Sequence, residues 1–349
     1  MVRRWGAWLL LCLAFPALLH AQTADTTTAL AYVRSQQAAD GSFAGFGAGS
    51  TADAVYALVA AGVQPATFRN TGETALAGLR TLAPGAATTT GGAAKFALAL
   101  LMAGETTVLS DGSDLLTVIE QGRNSATGQY GSDVSAHAFA LLALRAAGRP
   151  AARDAAPHDA LKKLQLPDGG WSFAGSAATG SDTNTTALAI QALIAVEGPS
   201  AAVSRAVAYL KTQQNSDGGF PFSQASAFGT ASDANSTAYV IQGLIAAGED
   251  PNSVTKHGKS PLDRLRAFQN SSGAFRYQDT PPDDNAGATY QALPALLGKT
   301  FPLSALSAPA APVPTTPGLP STGLPSFPAW ALVAAAVALV LTGRRLVRR

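Results

Sequence analysis

Gln165-Leu166-Pro167-Asp168-Gly169-Gly170-Trp171 and Gln214-Asn215-Ser216-Asp217-Gly218-Gly219-Phe220 carry one pattern: a glutamine, a glycine four positions on, and a large aromatic two positions after that. Gln37, Gly41 and Phe43 repeat it, as do Gln269, Gly273 and Phe275, and a weaker copy runs from Asn124 through Gly128 to Tyr130. Steps of 41, 49 and 55 residues separate Asn124, Gln165, Gln214 and Gln269. Each step has room for one helical hairpin and its loops, so the repeat decides the fold.

Each copy closes one helix and precedes another. Before it lies an amphipathic segment, as in Val203, Ala206, Val207 and Leu210, apolar at helical spacing. The glycine breaks that helix because it accepts backbone angles other residues resist. After a Gly/Ser/Thr-rich loop comes a helix apolar nearly all round, as from Ala187 to Ala195 or from Ala238 to Ala247. Such a helix has to be buried on every side, which places amphipathic helices outside and apolar ones inside.

The inner helices are predicted at Thr51 to Ala61, Gly91 to Ala103, Asp133 to Ala147, Asp182 to Ala195, Asp233 to Ala247 and Asp284 to Leu297. Six hairpins of alternating outer and inner helices close naturally into a ring. The second, Gly72 to Ala103, lacks the glutamine-to-aromatic pattern.

Gln-x-x-x-Gly-x-Trp/Phe at this spacing resembles the repeat of the terpene cyclase and protein prenyltransferase (squalene cyclase-like) superfamily. The resemblance covers about 270 residues, from Thr26 to Gly298. It implies an all-α fold, an α6/α6 toroid of six helical hairpins, in which the glutamine bonds the adjoining turn and the aromatics knit neighbouring hairpins.

The superfamily's chemical residues do not carry over. Prenyltransferases hold zinc with Asp, Cys and His, and thioester domains need a Cys bonded to a Gln. The one cysteine here, Cys12, lies in the N-terminal apolar run. Class II cyclases use Asp-x-Asp-Asp, and the nearest carboxylate pair is Asp283-Asp284. A fold does not determine an activity, so neither a metal nor a cofactor is expected.

Polar residues near the starts of the inner helices are the candidates for a site. Asn184 and Gln191, like Asn235 and Gln242, are seven apart and share a stripe, and Gln291 continues the series. These five are read as ligand-binding, lining a polar pocket. Asp133 and His137, four apart, form a candidate acid–base pair, with Asp283 and Asp284 as further carboxylates. Asp133, Asp182 and Asp233 equally suit helix N-caps, which need no other role, and His137 suits a core position.

Aromatics come in near-pairs: Phe43 and Phe46, Trp171 and Phe173, Phe220 and Phe222, Phe275 and Tyr277. Packing between hairpins accounts for them, and exposed rings would suit sugar stacking. Function reads as a noncatalytic binding or scaffold module for a small molecule or glycan. The alternative is an extracellular enzyme, polysaccharide-active or cyclase-like. Five glutamates in the chain, none at the inner-helix starts, count against a glycosidase.

The termini read as address labels. Arg3 and Arg4, the apolar run to Leu19 and Ala21 resemble a signal peptide over residues 1–21. Residues 22–301 then form the toroid, 302–323 a proline-rich linker, and 324–349 an apolar anchor with a basic tail. Leu319, Pro320, Thr322 and Gly323, the apolar stretch and four terminal arginines resemble a cell-wall sorting signal. That resemblance implies a sortase-like transpeptidase as partner, a join at Thr322 and a cell-surface location on wall or membrane. A permanent membrane helix is the other reading. Setting aside the six terminal arginines leaves 18 basic against 22 acidic groups, a balance that offers nothing to nucleic acid.

Overall fold

The structure is a computed structural model that describes residues 26–227 and 229–306. Twelve α-helices occur among these residues: α1 (26–35), α2 (Gly49–Ala60), α3 (Ala75–Ala86), α4 (Thr90–Met102), α5 (Leu115–Gln121), α6 (Val134–Ala146), α7 (Ala155–Lys163), α8 (Thr183–Val196), α9 (Ala201–Thr212), α10 (Ala234–Ala246), α11 (Pro261–Ala267) and α12 (Ala286–Leu296). Two short antiparallel strands, β1 (Phe275–Arg276) and β2 (Asp284–Asn285), join the last hairpin. The predicted inner helices agree with these bounds within about two residues.

The even-numbered helices form the inner wall. Each packs on the next, α2 on α4, then α6, α8, α10 and α12, and α12 packs back on α2. The odd-numbered helices lie outside, α3, α5, α7, α9 and α11 each spanning two inner neighbours. Small side chains set the spacing: a Cβ added to Gly243 of α10 would sit 3.0 Å from Ala187 of α8. Glycines at positive φ (62, 104, 148, 198, 248 and 298) follow all six inner helices, ending each where an L side chain would be strained.

The repeated pattern is the joint between hairpins. Gln165 Nε2 donates to the carbonyls of Gly169 and, across the joint, Ala202, both at 2.8 Å. Gln214 does the same with Gly218 and Val254 at 3.0 Å, and Gln37 reaches Gly41 and Glu73 at 3.3 and 3.5 Å. Gly169, at φ +91°, lies so close to α9 that a Cβ would be 2.7 Å from the Arg205 carbonyl. The last joint closes the ring, because Gly273 presses in the same way on Thr28 of α1.

The second hairpin lacks the pattern for a geometric reason. Between the end of α3 and the start of α4 lie three residues, 87–89, too few for the turn. In the weak copy Arg123, not Asn124, holds the glutamine's place: it bridges Tyr130 as Gln37 bridges Phe43, and its guanidinium crosses the joint to Asp154 at 2.7 Å, while Asn124 accepts from Ala126 and Thr127 N–H.

The predicted linker begins too early. Leu303 is buried and Leu306 N–H donates to Met102 O at 3.1 Å, so the packed fold continues to residue 306. No helix among the described residues is long and apolar enough to cross a membrane. The predicted signal peptide, the sorting residues Leu319, Pro320, Thr322 and Gly323, and the basic tail lie outside the described residues.

Candidate ligand-binding site in the ring

One hydrogen bond puts the inner helices in register. The backbone N–H of each pattern aromatic donates to a side chain one turn into the following inner helix: Phe43 to Thr51, Trp171 to Thr186, Phe220 to Thr237 and Phe275 to Thr289, at 2.9 to 3.1 Å. In the weak copy Tyr130 N–H donates to His137 Nδ1 at 3.0 Å. Residues at equal offsets from these five form layers around the ring, and α4 joins them through its N-cap, Thr89.

Two residues further along each helix lies the central layer: Asp53, Lys95, Phe139, Leu188, Tyr239 and Gln291. Contacts converge there from several helices. Lys95 Nζ is 2.8 Å from Asp53 Oδ1 and 6.0 Å from the centre of the Phe139 ring, while Gln291 Nε2 reaches Asp53 Oδ2 at 3.5 Å. Burial, then the Asp53 charge, raises the Tyr239 phenol above its usual range. The ion pair is partly open, with side-chain exposures of 22% for Lys95 and 12% for Asp53.

Below this layer, toward the helix C-termini, stand Tyr56, Gln191 and Gln242. The segment after α12 closes this end. Phe301 N–H donates to Gln191 Oε1 at 2.8 Å, and the Phe301 ring lies 4.9 Å from that of Tyr56. Tyr56 belongs to α2 and Gln191 to α8, on opposite sides of the ring, so Phe301 bridges the floor. Gln242 is 2% exposed, and its Oε1 has no hydrogen-bond partner.

Above the central layer stand Ser135, Asn184 and Asn235, with glycines at the remaining positions (49, 91 and 287), all partly exposed. The aromatic near-pairs divide here. Phe43, Trp171, Phe220 and Phe275 are core, whereas Phe46, Phe173, Phe222 and Tyr277 are 98%, 57%, 45% and 43% exposed. Backbone carbonyls of Phe173, Phe222 and Tyr277 accept the first N–H of α6, α8 and α10, which fixes those rings beside the inner-helix N-termini. A cavity of about 300 Å³ opens there, lined by Asn184, Asn235, Phe222, Tyr277 and Ser226. Asn235 Oδ1 is buried and unpartnered.

Asp133 and His137 do not meet as acid and base. Asp133 caps α6, accepting from Ala136 N–H at 2.8 Å. His137 is fully buried and, besides Tyr130, its Nε2 bonds the Pro157 carbonyl at 3.0 Å. Burial holds its imidazole neutral, with a pKa of about 4. Asp182 and Asp233 are likewise caps, accepting from Thr185 and Ser236 N–H, and burial raises each to about 6. Asp283 and Asp284 are exposed, Asp284 accepts from Asn270 at 2.8 Å, and the cap of α12 is Asn285.

Asn184, Asn235, Gln191, Gln242 and Gln291 thus spread over three levels of the inner wall, on α8, α10 and α12, from mouth to floor. Asp53, Lys95 and Tyr239 were not among the sequence candidates, although a lone carboxylate and a lone ammonium inside apolar helices mark them. No group of three or more His, Cys, Asp or Glu suited to a metal ion occurs among the described residues.

Comparison with known proteins adds a family to this geometry. The squalene-hopene cyclase C-terminal domain profile matches residues 124–308, just over half of the chain. The chain belongs to the squalene-hopene cyclase C-terminal domain family. The prenyltransferase alpha-alpha toroid domain matches residues 8–81, and no curated protein matches significantly.

Among solved structures, the type II terpene cyclase MstE_Y157F from Scytonema is 18% identical, with a TM-score of 0.54, over 80% of this chain and 97% of that one. A protein described as "Glycosidase Wild Type" is 13% identical with the same score, over 80% and 98%. The ent-copalyl diphosphate synthase from Streptomyces platensis is 22% identical with a TM-score of 0.50, over 72% of this chain. This squalene-hopene cyclase family member spans half the length of that synthase. At such identities the likeness speaks for the toroid alone.

Proposed function

We propose that the toroid is a noncatalytic binding module that takes a ligand through the inner-helix N-terminal mouth. One observation carries this reading. The central layer holds a single carboxylate, Asp53, already paired with Lys95; of the carboxylates at the inner-helix starts, Asp133, Asp182 and Asp233 cap helices, and Asp283 and Asp284 are exposed, with Asp284 bonded by Asn270. Hydrolysis of a glycosidic bond ordinarily uses two carboxylates facing the same bond. Binding needs what is present: a concave site with a few convergent polar groups and aromatic walls.

The ligand-binding module is held outside the cell in this reading, exported by residues 1–21 and joined through Thr322 to the wall by a sortase-like transpeptidase. Mass analysis of the mature C-terminus tests the join: a wall peptide on Thr322 supports it, and a retained Arg349 excludes it. For binding, full-length chain is incubated with glycans, isoprenoids and cobalamin and examined by native mass spectrometry. Stoichiometric retention without product is expected. Turnover abolished by Asp53→Asn would establish an enzyme instead.

A further inference from the structure

We infer that the cavity between Phe222 and Tyr277 is a subsite for a sugar ring of a neutral glycan. This deepens the binding-module reading and rests on it. Four observations define the guest. The two rings are exposed, and their backbone is pinned to the first turns of α8 and α10, which keeps both at the mouth. Between them lie two amides, Asn184 and Asn235. The Asn235 Oδ1 is buried without a hydrogen-bond partner. The charges within the ring, Asp53 and Lys95, are paired with each other.

A guest that satisfies all four presents an apolar face to the rings and hydroxyls to the amides, and has no net charge to unbalance the ion pair. A pyranose does this, since its axial C–H face is apolar while its hydroxyls both donate and accept. An isoprenoid meets the rings but leaves the Asn235 acceptor without a donor, a deficit of about 1–3 kcal/mol that a hydroxyl removes. An anion meets a mouth whose nearest charge is the carboxylate of Asp233. A volume of about 300 Å³ sits at the lower end of small-ligand pockets, matching one sugar residue rather than a whole chain. Phe173 and Phe46, further round the same end, offer platforms for neighbouring sugars.

The test titrates full-length protein calorimetrically with neutral hexasaccharides (cello-, xylo-, manno-, malto- and chitohexaose) and, separately, with geranylgeraniol in detergent. At least one saccharide is expected to bind. Phe222→Ala with Tyr277→Ala should weaken it about tenfold or more, because the sugar no longer has an apolar platform to cover, and Asn235→Ala about threefold to tenfold. Unchanged melting temperatures are expected for the ring variants and would separate these losses from unfolding. Saccharide binding that is indifferent to both aromatics would overturn the subsite. Geranylgeraniol bound and every saccharide rejected would overturn the glycan while leaving a binding module. Rejection of all six probes would overturn the glycan inference and count against the binding module as well.

Discussion

Replacing His137 with threonine tests whether the fold makes a histidine do what threonine does elsewhere. Thr51, Thr186, Thr237 and Thr289 each accept an aromatic's N–H through a hydroxyl, and in the third hairpin an imidazole nitrogen replaces them. Threonine keeps an acceptor for Tyr130, leaves the Pro157 carbonyl without its partner and opens a small void. At pH 8 the loss should be about 2–4 kcal/mol, from one orphaned buried carbonyl and incomplete repacking.

Acid should erase the difference. Above pH 6.5 the imidazole is neutral in folded and unfolded chains alike. Between pH 6.5 and about 4 the unfolded chain takes up a proton that the fold refuses, so stability falls as pH falls. The full drop is about 3 kcal/mol at about 1.4 kcal/mol per pH unit, and it ends once the folded imidazole also protonates. Threonine does not titrate, so the two proteins should converge toward pH 4. Urea unfolding at pH 8, 6.5, 5 and 4 measures this. Parallel curves would mean that the His137 environment is not the dry, doubly bonded one described.

Other perturbations read other parts of the ring. Gln214→Ala removes two bonds to buried carbonyls and should cost about 2–4 kcal/mol in urea unfolding, adding independently to Gln165→Ala. Phe301→Ala should cost about 3–5 kcal/mol and expose residues 299–306 to limited proteolysis. Lys95→Met leaves Asp53 with Gln291 as its remaining partner. Because the pair is partly open, about 1–2 kcal/mol of stability is at stake, and native mass spectrometry should show ligand retention lost. Asp233→Asn should flatten a stability loss that the wild type suffers as pH rises from about 4 to about 6, where the unfolded carboxylate has ionised and the buried one has not.

The ring was legible because its joints repeat: glutamine, glycine and aromatic all act locally, across one turn and one neighbouring helix. The mouth was half legible. Spacing alone found Asn184 and Asn235, since seven residues on a helix return to the same stripe. Asp53, Lys95 and Tyr239 escaped because each is a single residue on a different helix, and their meeting depends on closure of the ring. Phe301 escaped for a different reason. Pro302 and the prolines beyond it have the composition of a spacer, and nothing local reveals that Gln191, 110 residues earlier, accepts the backbone of that stretch.

Gly273 seated on Thr28 changes how such a molecule can come apart. A stack of repeats with free ends frays from its outermost unit and needs special capping units. A hoop has no outermost unit: freeing any hairpin means opening the contacts on both its flanks at once. Partial unfolding is therefore penalised twice, and denaturation of the ring should be all-or-none although it is assembled from near-identical pieces.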